Sequence, residues 1–278
     1  MTTTLRPTGP ERRDRDGSRA RGYEVCVNSR PVGTVGLTAD ARLGPVGRIE
    51  GLRIAVPDRR RGRGTVAVLA AEEVLRGWGC VRTEIAVPES SGAALRMAEA
   101  LGYTEFARNL RKRVPAEPPP LPAGSEGRPM NATEFAAWQQ QSRESYARLL
   151  TGRGVPEEQA RAEAGADHAR LLPDGVRTSG ALLRVLSLEG TDAGVLWVGL
   201  GERAPEGLDA HVYEVEVVEE LRGRGHGRSL MLLAERECRA AGAETLGLRV
   251  FTDNTPALRL YTSLGYETAR RLLTKPLL

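Results

Sequence analysis

Lysine is nearly absent from this sequence. Lys112 and Lys275 are the only two among 40 basic residues, so arginine carries almost all of the positive charge. Beside 32 glycines and abundant alanine, that bias reads as genomic base composition and not as an adaptation to nucleic acid. Aromatic residues are also scarce, at 4%, which leaves few stacking platforms for unpaired bases. The three cysteines, Cys26, Cys80 and Cys238, lie too far apart for a disulfide framework, and no pair has metal-ligand spacing. The three histidines, His168, His211 and His226, form no metal motif either, so no metal is expected. No apolar run approaches the length of a membrane helix, and the N-terminus lacks the apolar core of a secretion signal. The expectation is a cytoplasmic protein with no membrane partner.

A length of 278 residues exceeds one typical domain, so two are expected. The apolar share of 40% and the charged share of 27% are ordinary for a globular chain. The net charge of +4 hides an asymmetry: residues 1–114 hold 21 basic and 13 acidic side chains, and residues 115–278 hold 19 and 23. A basic half invites a nucleic-acid reading. Its arginines are scattered, however, and a solvated surface with one anion-binding loop accounts for them better.

Residues 211–266 organise the chain. Val212, Val215, Val217 and Val218 among Tyr213, Glu214 and Glu216 predict a half-buried strand. The run Arg222-Gly223-Arg224-Gly225-His226-Gly227-Arg228 follows, and an amphipathic helix begins near Ser229. A second strand over 246–251 leads to Asn254-Thr255-Pro256-Ala257, where Thr255 reads as an N-cap with Pro256 at the first helical position. The last helix carries Tyr261 and stops at Gly265. A glycine-rich loop between strand and helix lets backbone approach an anion and aims free N–H groups at it. It lacks the lysine of G-x-x-x-x-G-K-[ST] and does not fit G-x-G-x-x-G followed by a ribose-binding acid.

What the loop fits is R-x-x-G-x-G, with Arg222, Gly225 and Gly227 in register. With Asn254 and Tyr261 in the same strand–loop–helix–strand–helix order, the stretch resembles the GNAT N-acetyltransferase superfamily. The resemblance implies an α/β fold of mixed, mostly antiparallel sheet flanked by helices, with acetyl-CoA as co-substrate. It implies that the segment 222–229 (Arg222, Gly223, Arg224, Gly225, His226, Gly227, Arg228, Ser229) holds the pyrophosphate. It places Asn254 and Ala257 by the pantetheine arm, and gives the backbone of Val217 and Val218 the thioester carbonyl. Tyr261 becomes the acid that protonates the departing thiolate; a packed core aromatic is the competing explanation. Glu214 and Glu216 share one strand face, and either can take the amine proton; a solvated edge strand is the alternative. His211 and His226 read as surface residues.

The same order of elements occurs earlier. Laying 32–103 on 195–266 at a constant offset of 163 needs no gap and gives 22 identities in 72 pairs, which reads as duplication. Arg59, Gly62 and Gly64 repeat the loop, whereas Ala98 stands opposite Tyr261, Ser91 opposite Asn254, and Gly51 and Arg53 opposite the two glutamates. The expected organisation is a disordered tail over 1–21, a degenerate GNAT-like lobe over 22–114, a Pro-rich linker over 115–127 and a catalytic lobe over 128–278. In the second lobe, 124–127 is a poor strand sequence, a helix capped by Asn131 or Thr133 carries Trp138, Ser142 and Tyr146, and another runs over 156–172.

The expected function is acetyl-CoA-dependent transfer to a primary amine by direct attack in a ternary complex. The acceptor is not legible, and a homodimer is left open. Acetylation of one specific small metabolite, and non-catalytic binding of acyl-CoA, are the alternatives.

Overall fold

The computed structural model describes residues 2–40 and 44–277. The chain divides into two compact units, one of Met1–Phe106, Arg148–Glu163 and Arg270–Leu278, the other of Ala107–Ala147 and Ala164–Ala269.

The first unit begins with strands β1 (Thr3–Pro7), β2 (Arg12–Arg13), β3 (Arg19–Val27), β4 (Arg30–Asp40) and β5 (Val46–Ile54). Helix α1 (Arg63–Gly77), strand β6 (Arg82–Pro88) and helix α2 (Gly92–Ala100) follow. Asn28 and Ser29 both take positive φ, 47° and 68°, which closes the β3–β4 hairpin in a turn that matches strand twist. The strand order is β1-β3-β4-β5-β6-β13, where β13 is Glu267–Pro276. Val25, Leu37 and Leu75 centre its core, which Leu273 and Leu277 complete.

The tail expected to be disordered over 1–21 is instead part of this sheet. Thr3–Pro7 pairs antiparallel with 23–27, Leu5 packs on the core, and Arg6 pairs with Glu24. The sequence reading failed because backbone ladder bonds, not side-chain periodicity, hold an edge strand.

The second unit contains β7 (Thr104–Arg113, from Ala107 onward), β8 (Ser125–Pro129), α3 (Ala132–Thr151, through Ala147) and α4 (Glu157–Leu171, from Ala164). Then come β9 (Ala181–Leu188), β10 (Thr191–Leu200), β11 (Ala210–Val217), α5 (His226–Ala240), β12 (Thr245–Phe251) and α6 (Thr255–Ser263). Its strand order is β7-β12-β11-β10-β9-β8. Ser125–Pro129, read as linker and poor strand, pairs with β9 from Leu188 to Arg184. Gly127 is required there, because a Cβ would fall 2.3 Å from a Leu233 methyl. Asn131 caps α3: its Oδ1 accepts the N–H of Thr133 and Glu134, while Glu134 accepts the N–H of Asn131.

The units therefore do not divide at the linker. The strand closing the first unit is β13, from residues 267–276, and β7, expected within the first lobe, pairs with β12 along seven residues. The two lysines mark these strands. Lys275 on β13 reaches the buried Glu72 of α1 at 2.8 Å, and the Tyr103 hydroxyl donates to the same carboxylate at 3.0 Å. Lys112 on β7 reaches the buried Glu235 of α5 at 2.7 Å and lies over the Tyr266 ring. Each triad stands 163 residues from the other. A lysine stem packs along apolar surface while its compact charge meets one carboxylate.

Candidate active site

Strand β11 runs beside β12 only briefly. Their parallel pairing joins Ala210, His211 and Val212 to Leu246, Gly247 and Leu248, after which no pair follows although both strands continue. The other edge of β11 stays paired with β10 as far as Val217. Residues 213–217 thus have one backbone edge unpaired on the β12 side, an opening into the sheet.

Which N–H lines this opening follows from peptide geometry. The Val218 N–H donates to Ala193 O at 3.0 Å, toward β10. The Glu216 carbonyl also faces β10, since a Cβ on Gly194 would lie 2.3 Å from it. In a trans peptide the following N–H points the opposite way, so the Val217 N–H faces the opening. Of the two valines, Val218 is engaged elsewhere and Val217 is available.

At the end of β11 the chain turns through a short 3-10 segment into the glycine loop. Gly223 and Gly225 take φ of 75° and 91°, and Gly225 is the N-cap of α5 with no side-chain cap. The first-turn N–H groups of α5, including those of His226 and Gly227, carry the partial positive charge of the helix N-terminus. Arg222 Nε donates to Val217 O at 3.2 Å, tying the loop to the strand. Arg228 donates to the Ser263 hydroxyl on α6, and Arg224 has no ion-pair partner among the described residues. Ser229 and His226 are buried; the expectation that His226 lies at the surface is wrong, because the first helical residue turns its side chain beneath the loop. His211 is half-buried, its Nδ1 lacks a partner, and burial, with Arg249 nearby, pulls its pKa down to about 4.

Glu214 and Glu216 share the face covered by α3. The Trp138 indole donates to Glu214 Oε1 at 2.8 Å, and Ser142 Oγ bonds Glu214 Oε2. Gln141 donates to Glu216 at 3.2 Å. His168 of α4 completes the first group, with Nε2 3.1 Å from Ser142 Oγ and Nδ1 2.9 Å from Ala164 O. Burial pushes the Glu214 carboxyl above the usual carboxylate range, against the lowering effect of its two donors. Tyr213 is an extra residue on β11, since Trp197 pairs with Glu214 and Val198 with Val212. The bulge puts Tyr213 on the same face as Glu214, against the Trp197 ring, with its hydroxyl on Arg203 O.

Tyr261 and the loop helix belong to the opposite face. Tyr261 packs with the core of Leu230, Met231 and Val250, 6.0 Å from the Tyr266 ring. Its hydroxyl has no hydrogen-bond partner among the described residues, and burial raises its pKa, so the phenol keeps its proton. Asn254, not Thr255, is the N-cap of α6: its Oδ1 accepts the Ala257 N–H at 3.1 Å. That N–H is therefore not offered to a ligand. Sequence reasoning missed Gln141, Ser142 and His168 as site residues. The signal was present: Ser142 occupies the apolar stripe of α3 four residues after Trp138, and a buried hydroxyl needs a partner.

The glycine loop at the N-terminus of α5 thus follows directly on the strand whose pairing with β12 stops at Val212. A model of the acetyltransferase (GNAT) family matches residues 3–103 and again 156–266. The chain belongs to the GNAT family. It is an acyltransferase of two GNAT lobes. The uncharacterised N-acetyltransferase YycN of Bacillus subtilis is 28% identical over 152 residues, 54% of this chain and 96% of that one. A mycothiol acetyltransferase of Frankia casuarinae is 29% identical over 248 residues, 82% of this chain and 68% of that one. The solved tandem GNAT protein from the clavulanic acid biosynthesis pathway shares the fold, with a TM-score of 0.53 at 20% identity over 94% of this chain and 83% of that chain. No helix among the described residues is long and apolar enough to cross a membrane, and no group of residues there could hold a metal ion.

Proposed function

We propose that the C-terminal lobe transfers the acetyl group of acetyl-CoA to a primary amine by direct attack within a ternary complex. The observation that carries this reading is the one-sided opening of β11, with Glu214 on one sheet face and Tyr261 on the other. Acetyl-CoA extends along the unpaired edge, its pyrophosphate on the N–H groups of the segment 223–227. The neutral amine attacks the thioester carbonyl carbon, and the Val217 N–H stabilises the oxyanion. Collapse expels the thiolate, which takes the Tyr261 proton, while the amine proton goes to Glu214. Glu214 is preferred to Glu216 because burial brings its pKa toward the working range of a base. Arg222, Arg224 and Arg228 add charge around the pyrophosphate, and a reduced cytoplasm supplies the acetyl-CoA.

The test is purified protein with acetyl-CoA against a panel of amines and peptides, following thiol release. Release with at least one amine, lost at low pH through a limb lying above the ordinary carboxylate range, is expected. Because the base must be deprotonated, activity falls as pH drops through the raised Glu214 pKa, and Glu214→Gln removes that limb. A limb that persists in Glu214→Gln and disappears in Glu216→Gln would transfer the role to Glu216. The match to mycothiol acetyltransferase over 82% of the chain favours a second reading, one specific small-metabolite acceptor. A single amine turned over far faster than the rest selects it.

A further inference from the structure

The hydrogen bonds around Glu214 have room for one proton more than an ionised Glu214 and a neutral His168 carry between them. Ala164 O is a carbonyl and only accepts, so the His168 Nδ1 beside it carries a proton. A neutral His168 then presents a bare Nε2 to Ser142 Oγ at 3.1 Å. Ser142 has one hydroxyl proton, yet it stands between two acceptors, Nε2 and Glu214 Oε2. Both short contacts are satisfied only when a second proton is present. With Glu214 protonated, its carboxyl donates to Ser142, which donates to His168. With His168 protonated, Nε2 donates to Ser142, which donates to the Glu214 carboxylate.

We propose that Glu214, Ser142 and His168 form a proton relay, in which the proton removed from the acceptor amine at Glu214 is shared through the Ser142 hydroxyl with His168. This rests on the assignment of Glu214 as the base. The step balances without any other reagent. From an ionised Glu214 and a neutral His168, the amine proton binds a Glu214 oxygen, that proton passes to Ser142 Oγ as the Ser142 proton passes to His168 Nε2, and a carboxylate and an imidazolium result. His168 is a positioning residue that stores the proton and touches no substrate. The surroundings hold the two forms close in energy. Burial disfavours both charged groups, pushing Glu214 up and His168 down. The Trp138 indole N–H and Glu216 act on Glu214 in opposite senses, and Asp167 on α4 and Arg143 on α3 do so on His168. The rings of Trp138 and Trp197 flank His168 and exclude water from it.

The first repeat offers an internal contrast. Gly51 occupies the place of Glu214 with φ of 59°, so no carboxylate exists there to feed a relay.

Imidazole nitrogen NMR of the full chain across a pH series tests the relay, with no acetyl-CoA and no amine added. The protein has three histidines, and His168→Gln assigns the His168 signal by its loss. The expected result is an Nδ1–H tautomer whose midpoint coincides with that of the Glu214 carboxyl carbon, because coupled groups titrate as a pair. Ser142→Ala separates the two midpoints by about one pH unit, and Glu214→Gln moves the His168 midpoint by a similar amount. Should Glu214→Gln not fold, Ser142→Ala reads the same coupling. A His168 midpoint that neither substitution moves, or an Nε2–H tautomer at neutral pH, overturns the relay. Absence of acetyl transfer in the amine panel would count against the proposed function alone, since the titration needs no turnover.

Discussion

The two glycine loops have nearly the same backbone and different surroundings. Arg59 Nε donates to Ile54 O at 2.8 Å in the first unit, as Arg222 Nε does to Val217 O in the second. Gly62 and Gly225 are both left-handed N-caps. Arg60, where the second loop has Gly223, also adopts φ of 57°. Beneath the loops the resemblance ends. Arg63 turns inward to the buried Asp58, which Arg30 also holds at 2.8 Å, whereas the second loop has His226 and Leu221 at the corresponding positions. The first loop is braced by an ion pair of its own, and Ala98 and Gly51 leave it without acid or base. What a strand-to-helix reversal needs for geometry is kept in both copies, and the residues proposed for the chemistry are kept in one.

The largest effect should come from the seams. Breaking a buried pair by removing one partner leaves an uncompensated charge, a loss of about 3–5 kcal/mol. Lys112→Met leaves Glu235 beside the Tyr266 hydroxyl with its Oε2 unpartnered, while Lys275→Met leaves Glu72 the Tyr103 hydroxyl at 3.0 Å and Arg76 at 4.0 Å. Both should lower the denaturation midpoint, Lys112→Met more, and Lys112→Met with Glu235→Met should recover most of the loss. Equal, small effects would show that the seams are solvated. By the same argument a fragment of residues 123–278, which lacks β7 and Lys112, should not fold by circular dichroism.

Next is the loop. Gly225→Val imposes a side chain at φ of 91° where the pyrophosphate is to sit, so acetyl-CoA binding by calorimetry should fall below detection. Gly62→Val, at φ of 71°, should disturb the first unit locally and leave the acetyl-CoA affinity of the second loop unchanged. A comparable loss of affinity from Gly62→Val would mean that the first loop is the binding site, and the contrast between the loops would collapse.

Tyr261→Phe should lower kcat about a hundredfold with little change in KM, since only proton donation is removed. Ala98→Tyr is the converse. Ala98 is 1% exposed, so a phenol there overpacks the core, at a cost of about 1–3 kcal/mol, and confers no turnover. Thiol release by the double variant Tyr261→Phe, Ala98→Tyr at wild-type rate would show that the first unit had lacked only its acid.

These contrasts were legible in the sequence to different depths. Helices α1, α2, α5 and α6 announced themselves, because glycines stop them and apolar residues recur at helical spacing. The loop was legible because few residues other than glycine accept its dihedral angles. Strands β1 and β8 were not, since an edge strand is held by backbone bonds that any residue type can make. The exchanged strands were hidden for another reason: pairing partners 132 and more residues apart leave no local periodic trace. One signal did exist, since the chain's two lysines stand 163 residues apart, each 163 from the other's counterpart in a repeat already visible. The proposed base was chosen by burial, which a pattern of alternating residues cannot rank. Glu214 and Glu216 look equivalent along β11, and only the helix lying over them separates one from the other.

The smallest effect isolates the loop backbone itself. Arg60 holds φ of 57°, a conformation that costs a residue with a Cβ roughly 1–2 kcal/mol. Glycine removes that strain but adds unfolded-state entropy of about 0.5–1 kcal/mol. Arg60→Gly should therefore raise stability by at most about 1.5 kcal/mol, read as a higher urea midpoint with unchanged slope. The residue it introduces is the one the second loop has at Gly223, and acetyl-CoA affinity should not change. A lowered midpoint would mean that the Arg60 side chain stabilises the first unit by more than its backbone strains it. The first loop would then be held by its arginines, and its likeness to the second would be one of shape alone.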